Sequence, residues 1–114
     1  MSEKKIVVPP DIQIILNKSG KGWTDEEIVA VFEWLLGKPL DAFIRFAFGF
    51  TRDLELAKEV VQIKIMDASR HIRTYDPTRY RGRDDAFLNW LYTMITRAAF
   101  REVKRRRWRQ ARLE

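Results

Sequence analysis

Apolar residues recur at three- and four-residue spacing along most of this chain, and nowhere alternate with period two long enough to suggest a strand. The expected fold is therefore all-α, a compact bundle of about four helices. The clearest start is at Thr24, where T-D-E-E reads as a capping box: the Thr24 hydroxyl accepts from the Glu27 amide and the Glu27 carboxylate reaches back. Trp23 and Ile28 flank that cap as a hydrophobic staple would. Ile28, Val31, Phe32, Leu35 and Leu36 form the apolar face, and Gly37 and Pro39 are expected to end the helix. A second helix spans roughly residues 40–50, with Phe43, Phe46, Ala47 and Phe50 on one side. Phe48 falls off that stripe, either packing elsewhere or joining a contact surface.

Asp53 is a candidate N-cap for a long third helix over residues 54–74, whose core stripe is Ala57, Val61, Ile65, Ala68 and Ile72. Y-D-P at 75–77 stops it, because proline disfavours helix at the preceding residue. Residues 78–85, T-R-Y-R-G-R-D-D, form a loop, and Asp84 or Asp85 caps a fourth helix opening at about Ala86. Residues 1–23 read as a lead-in broken by P-P at 9–10 and K-S-G-K-G at 18–22. Within it Ile12, Ile14, Ile15 and Leu16 suit a short helix or an extended piece equally.

Charge changes this picture more than composition does. At 114 residues, 46% hydrophobic and 33% charged, the chain is one domain with enough apolar residues for a real core. Its apolar runs are all too short to span a bilayer, and Lys4 and Lys5 precede only I-V-V before proline, which is no secretory signal. The absence of cysteine excludes disulfides and thiolate metal sites, and the cytoplasm is the expected location. Residues 1–73 carry 11 Lys/Arg against 11 Asp/Glu, whereas residues 74–114 carry 11 against 5, so the whole net charge of +6 lies in the last third. Such asymmetry points to a polyanion: nucleic acid, with anionic membrane the weaker alternative.

The last third also interleaves aromatics with its cations. From Phe87 to Ile95 the helix is apolar at packing positions, with Trp90, Leu91, Met94 and Ile95 expected in the core. From Arg97 to Trp108 it presents Arg97, Arg101, Lys104, Arg105, Arg106 and Arg107 around Phe100 and Trp108. Arginine beside exposed aromatics suits a phosphate backbone with unstacked bases. The plainer reading of the run at 104–107 is a solvated helix end favoured by the helix dipole. His71 is the only histidine, so it reads as structural or solvent-facing. Asp84 and Asp85 are more simply caps than an acid–base or metal pair. No phosphate loop, nucleophile triad or H-E-x-x-H motif is present, so an enzyme is not expected and no cofactor is implied.

Two blocks resemble region 2 of a bacterial sigma factor, the small extracytoplasmic-function type most of all. Glu59-Val60-Val61-Gln62 followed by Tyr75-Asp76-Pro77 matches one family helix and its end; Phe87, Trp90 and Leu91 followed by the arginine run match the next. Val31-Phe32-Glu33 through Asp53 falls in register, more loosely, with the family's opening A-F-E-x-L-Y helix pair. The resemblance covers roughly residues 25–107, which makes residues 24–107 the expected domain and residues 108–114 the start of a linker or tail. It implies that the helix holding Glu59 and Gln62, with Lys58, Ile63 and Met66 beside them, docks on a coiled coil of the RNA polymerase β′ subunit. It implies further that the loop and last helix bind the promoter −10 element and hold bases of the separated non-template strand. Tyr80, Arg81 and Arg83 on the loop, and Asn89, Thr93, Thr96, Arg97, Phe100, Arg101, Lys104 and Arg105 on the helix, are the candidates. Unstacking a base costs a few kcal/mol, and stacking on an aromatic returns about 1–3 kcal/mol. An anti-sigma factor is a further candidate partner; a membrane is not.

The departures are specific. The family often has Glu where Ile63 stands, an aromatic at Ile65 and Trp at Ser69, while Asn and Asp are common at Arg97 and Arg101. The loop before Phe87 is longer than the family pattern, so base preference does not transfer. The family's second DNA-binding domain, a helix-turn-helix, has no counterpart here. That leaves an excised region 2, favoured by the linker-like W-R-Q-A-R-L-E at 108–114, or a standalone protein. Two rivals remain: a sigma-like module that binds polymerase or an anti-sigma partner without opening DNA, and an unrelated helical nucleic-acid-binding domain.

Overall fold

The computed structural model describes residues 6–80 and 85–113, apart from the side chain of Tyr80. Five α-helices, and no strand, occur among the described residues: α1 (Pro10–Leu16), α2 (Asp25–Leu35), α3 (Lys38–Thr51), α4 (Leu54–Arg70) and α5 (Ala86–Leu113). The expected helices are all present, and the additional one is α1, which the lead-in left undecided. Its N-cap, Pro9, offers no side-chain hydrogen bond; α1 is held by burying Ile12, Ile15 and Leu16. A helix this short depends on such docking, since seven residues cannot sustain themselves in water.

The capping box at Thr24 is formed: the Glu27 amide donates to Thr24 Oγ1 at 3.1 Å and the Thr24 amide donates to Glu27 Oε1 at 2.9 Å. Gly37 and Pro39 do more than stop α2, as the sequence suggested. Gly37 is the N-cap of α3 and Pro39 sits in its first turn, where no intrahelical donor is required, so the new helix opens at Lys38. Arg52 closes α3 in the left-handed conformation (φ 53°), its amide donating to the Phe48 carbonyl. Asp53 then caps α4, accepting from the Leu56 amide at 3.1 Å. The third expected helix is interrupted: α4 ends at Arg70, and Ile72–Thr74 is a separate 3-10 turn. Ile72 keeps its buried place on the stripe although the backbone has changed, which is why the spacing alone runs through the break. A second 3-10 turn, Pro77–Tyr80, follows, and the Asp76 carboxylate accepts from both the amide and hydroxyl of Thr78.

The three longest helices, α3, α4 and α5, pack on one another, with α2 against α3 and α4, and α1 against α2. Ala47, Ala57, Ala68, Ala98 and Ala99 are buried in this core, where small side chains let helix backbones approach. Leu91 and Ile95 lie at its centre, with Trp90 and Met94 partly buried around them. At the other end a ring cluster of Trp23, Tyr75, Phe87 and Trp90 forms, in which Phe87 lies 5.5 Å from Trp23, 5.3 Å from Tyr75 and 5.8 Å from Trp90. Beyond Val103 every residue of α5 through Leu113 is exposed, with no break at Trp108.

Among the described residues four carboxylates are held below their ordinary range. Glu27 is lowered by its bond with Lys18, Asp53 by the Leu56 amide and then Arg106, Asp67 by Lys64, and Asp76 by Thr78. Because each folded pKa lies below the unfolded one, each contribution is fully present above the usual carboxylate pKa of about 4 and is lost as pH falls through the folded value. Thermal unfolding followed by circular dichroism should therefore show a flat midpoint from neutrality to about pH 5 and a fall below it. Asp53→Asn, which keeps a capping oxygen, should make that fall shallower; an unchanged acid limb would remove Asp53 from the account. In the core, Leu91→Ala should cost about 3 kcal/mol, read as a lower urea midpoint at constant m-value.

Candidate polymerase and nucleic-acid interface

On α4, residues step round the axis by about 100°, which places Glu59, Gln62, Ile63 and Met66 on one outward stripe opposite Val61 and Ile65. Ile63 is 46% exposed and Met66 54%, large apolar groups beside two polar ones. Lys58 stands at the edge of this stripe, half-buried, its ammonium 3.6 Å from the Glu55 carboxylate. The side chains of Glu59 and Gln62 make no hydrogen bond or ion pair with any of the described residues, so their polar ends are available.

The same 100° step divides the candidates on α5. Asn89, Thr93, Thr96, Arg97, Phe100 and Lys104 fall within one broad outward strip on the α3 side. Thr93 Oγ1 donates to the Asn89 carbonyl and Thr96 Oγ1 to the Tyr92 carbonyl, each at 2.8 Å. Their hydroxyl protons are thus engaged, and what they offer a ligand is acceptor lone pairs. Asn89 Nδ2 donates to Asp85 Oδ1 at 3.1 Å, across the start of the helix, leaving its amide oxygen open. Asp84, the other candidate cap, lies outside the described residues, as do Arg81 and Arg83.

Phe100 is 56% exposed, yet it does not stand alone. A ladder of rings climbs to it from the core: Phe43 to Tyr92 at 4.9 Å, Tyr92 to Phe46 at 4.6 Å, Phe46 to Phe50 at 5.2 Å, and Phe50 to Phe100 at 4.9 Å. Spacing places Phe50 on the buried stripe of α3, and gives no sign that it supports an exposed ring on α5. Phe48, off that stripe, is partly exposed.

Arg101 and Arg105 turn the other way. Together with Arg109 they form one wall of a groove between α4 and α5, whose floor is Leu56, Val60 and Ala98 and whose far side is Glu59 and Ile63. Arg105 donates to Glu102 at 2.8 Å, while Arg101 has no ion-pair partner among the described residues. Arg106 closes the end of the groove by donating to Asp53 Oδ2 at 2.6 Å, which ties the outgoing helix to the turn between α3 and α4. That contact joins residues 53 apart and carries no signal in the sequence. The cations expected on one DNA-facing surface are therefore on two surfaces, and the groove joins two of them to the stripe on α4.

Lys104–Arg107 is exposed, as the plainer reading of a solvated helix expects, but the dipole does not account for the run. The dipole of a helix acts within its last turn, and Lys104–Arg107 lies more than a turn short of the end at Leu113. His71, at the C-cap of α4, is exposed with Nδ1 2.9 Å from the Asp67 carbonyl oxygen. No helix among the described residues is long and apolar enough to cross a membrane.

No curated protein and no solved structure matches the chain. The family model for sigma-70 region 2 matches residues 38–109, which take in α3, α4 and α5 as far as Arg109. With well over half its residues inside that match and two exposed surfaces on the helices it covers, this chain belongs to the sigma-70 region 2 family.

Proposed function

We propose that the chain is a promoter-binding domain of the extracytoplasmic-function sigma type. It docks on the β′ coiled coil of RNA polymerase through α4, and recognises and melts the −10 element through the segment before α5 and through α5 itself. The observation that carries this reading is the pairing of two unlike surfaces on adjacent helices. One is half apolar, with Glu59 and Gln62 unpartnered beside exposed Ile63 and Met66, as a protein interface requires. The other sets Arg97 and Lys104 around the braced ring of Phe100, as captured single-stranded DNA requires. Binding polymerase through the first would hold the second at the DNA.

The division of α5 refines the roles. Arg97, Phe100 and Lys104, with Asn89, Thr93 and Thr96, serve the displaced strand. Arg101 and Arg105 line the groove beside Glu59 and serve acidic groups of the docked polymerase as well as any phosphate that reaches them. An anti-sigma factor would compete for the same α4 stripe. The chemistry is binding and strand separation in the cytoplasm, with no covalent step.

Glu59→Lys with Gln62→Ala should weaken polymerase binding by at least about a hundredfold, measured by fluorescence anisotropy. Arg97→Ala with Lys104→Ala should leave polymerase binding intact. It should lower the log–log salt slope of polymerase-dependent binding to a single-stranded −10 oligonucleotide by about 1.4, from roughly 0.7 per phosphate contact. Undisturbed polymerase binding in the first variant would count against docking through α4. If the second variant binds and opens promoter DNA like the wild type, Arg97 and Lys104 lose their role in strand capture; if the wild type itself opens no promoter DNA, the rival that docks without melting gains instead.

A further inference from the structure

The described residues of the expected lead-in, 6–23, pack into the core through Ile12, Ile15, Leu16 and Trp23. They reach the two feet of the segment that enters α5, one foot at Tyr75–Asp76 and the other at Asp85–Phe87. At the first foot the Gly20 amide donates to the Tyr75 carbonyl at 2.9 Å. The Tyr75 hydroxyl, buried, donates to the Leu16 carbonyl at 2.8 Å. Arg73 donates from one nitrogen to two carbonyls, that of Gly20 at 3.0 Å and that of Trp23, and its other nitrogen lies 3.5 Å from Asp25. Approach is so close that a Cβ on Gly20 would lie 1.7 Å from the Ile72 carbonyl oxygen, so only glycine fits. Trp23 spans both feet: its ring is 5.9 Å from Tyr75 and 5.5 Å from Phe87. Its own indole N–H donates to the Lys18 carbonyl at 3.1 Å, which fixes the ring from the N-terminal side.

We infer that Leu16, Gly20 and Trp23 act with Arg73 and Tyr75 as a clamp that sets the position of both feet. The N-terminal segment is thereby a positioning element for strand capture by α5. This rests on the proposed reading of α5 as a DNA-binding helix. The physical case is that a connecting segment has its ends placed by whatever they pack against, and here a third piece of chain packs against both. The bond from the Tyr75 hydroxyl to the Leu16 carbonyl is buried, so releasing it costs more than an ordinary surface contact. None of the clamp residues belongs to the α4 stripe or to the outward strip of α5, so the clamp can be opened without touching either surface.

The test uses the full chain with polymerase core and two variants. Gly20→Ala forces the close approach apart, and Arg73→Ala removes its hydrogen bonds from an exposed position that spares the core. Amide hydrogen exchange and binding of a fluorescent single-stranded −10 oligonucleotide are read together. Exchange at residues 76–79 and 85–89 should quicken about tenfold, while residues 57–68 of α4 keep their protection. Oligonucleotide affinity should drop about tenfold, with polymerase affinity kept within about twofold. Unchanged exchange at both feet would overturn the clamp, whatever the oligonucleotide does. Exchange rising throughout the chain together with lost polymerase binding would reduce it to a structural contact. Quickened feet with undiminished oligonucleotide affinity would sever it from strand capture. Failure of the underlying reading shows separately, in the wild type: no polymerase-dependent oligonucleotide binding would remove the function being positioned, while exchange would still report whether the clamp exists.

Discussion

Phe87 lies in ring contact with Trp23, Phe32, Tyr75 and Trp90, which come from the linker before α2, from α2, from the turn after α4 and from α5 itself. One side chain thus gathers pieces of chain that are far apart in sequence. Each such ring pair adds about 0.5–1.5 kcal/mol beyond the area it buries, and edge-to-face geometry makes the arrangement directional as well as cohesive. The start of α5 is fixed by this cluster, and everything the helix later presents to a partner is measured from that start. An error of one residue in where α5 begins would rotate its outer surface by about 100°.

The helices were legible because burial on this fold is one-sided, and a one-sided helix writes its period into the chain. Thr24 and Asp53 were legible as caps because a short polar side chain before an apolar run has few other uses. The dual role of Gly37 and Pro39 was not, since the residues that stop one helix also suit the first turn of the next. The helicity of α1 was hidden for a different reason: it has no side-chain cap, and only its docked position decides it. At the site, residue types were readable and their sorting was not. Arg97 and Arg101 are one turn apart in the same basic run, and only the location of α4 shows that Arg101 borders a groove while Arg97 does not.

Electrostatics follow the same division between body and extension. Within the body the ion pairs of α4 are local, Lys58 with Glu55 and both Lys64 and Arg70 with Asp67, and pairs of that kind near the surface add little. Arg106 with Asp53 differs in joining distant elements, and in spending one arginine of the basic run on the protein itself. That bond also strengthens a cap, because Asp53 serves the Leu56 amide and the guanidinium together. Sequence position therefore overstates the charge available to a partner: Arg105 and Arg106 are committed to Glu102 and Asp53, while the other cations of the run make no ion pair among the described residues.

The outer end of α5 has a consequence for how it holds its shape. Residues 104–112 carry six cations, Lys104, Arg105, Arg106, Arg107, Arg109 and Arg112, over roughly 12 Å of axis. That is about one charge per 2 Å, close to the one per 1.7 Å of duplex DNA, with the opposite sign. Like charges three and four residues apart weigh against a helix, and beyond Val103 no buried side chain offsets them, the Arg106–Asp53 pair apart. A polyanion laid along this stretch cancels the repulsion as it binds. Stiffness and affinity at this end of the molecule are then one property, and both are governed by the surrounding counterions.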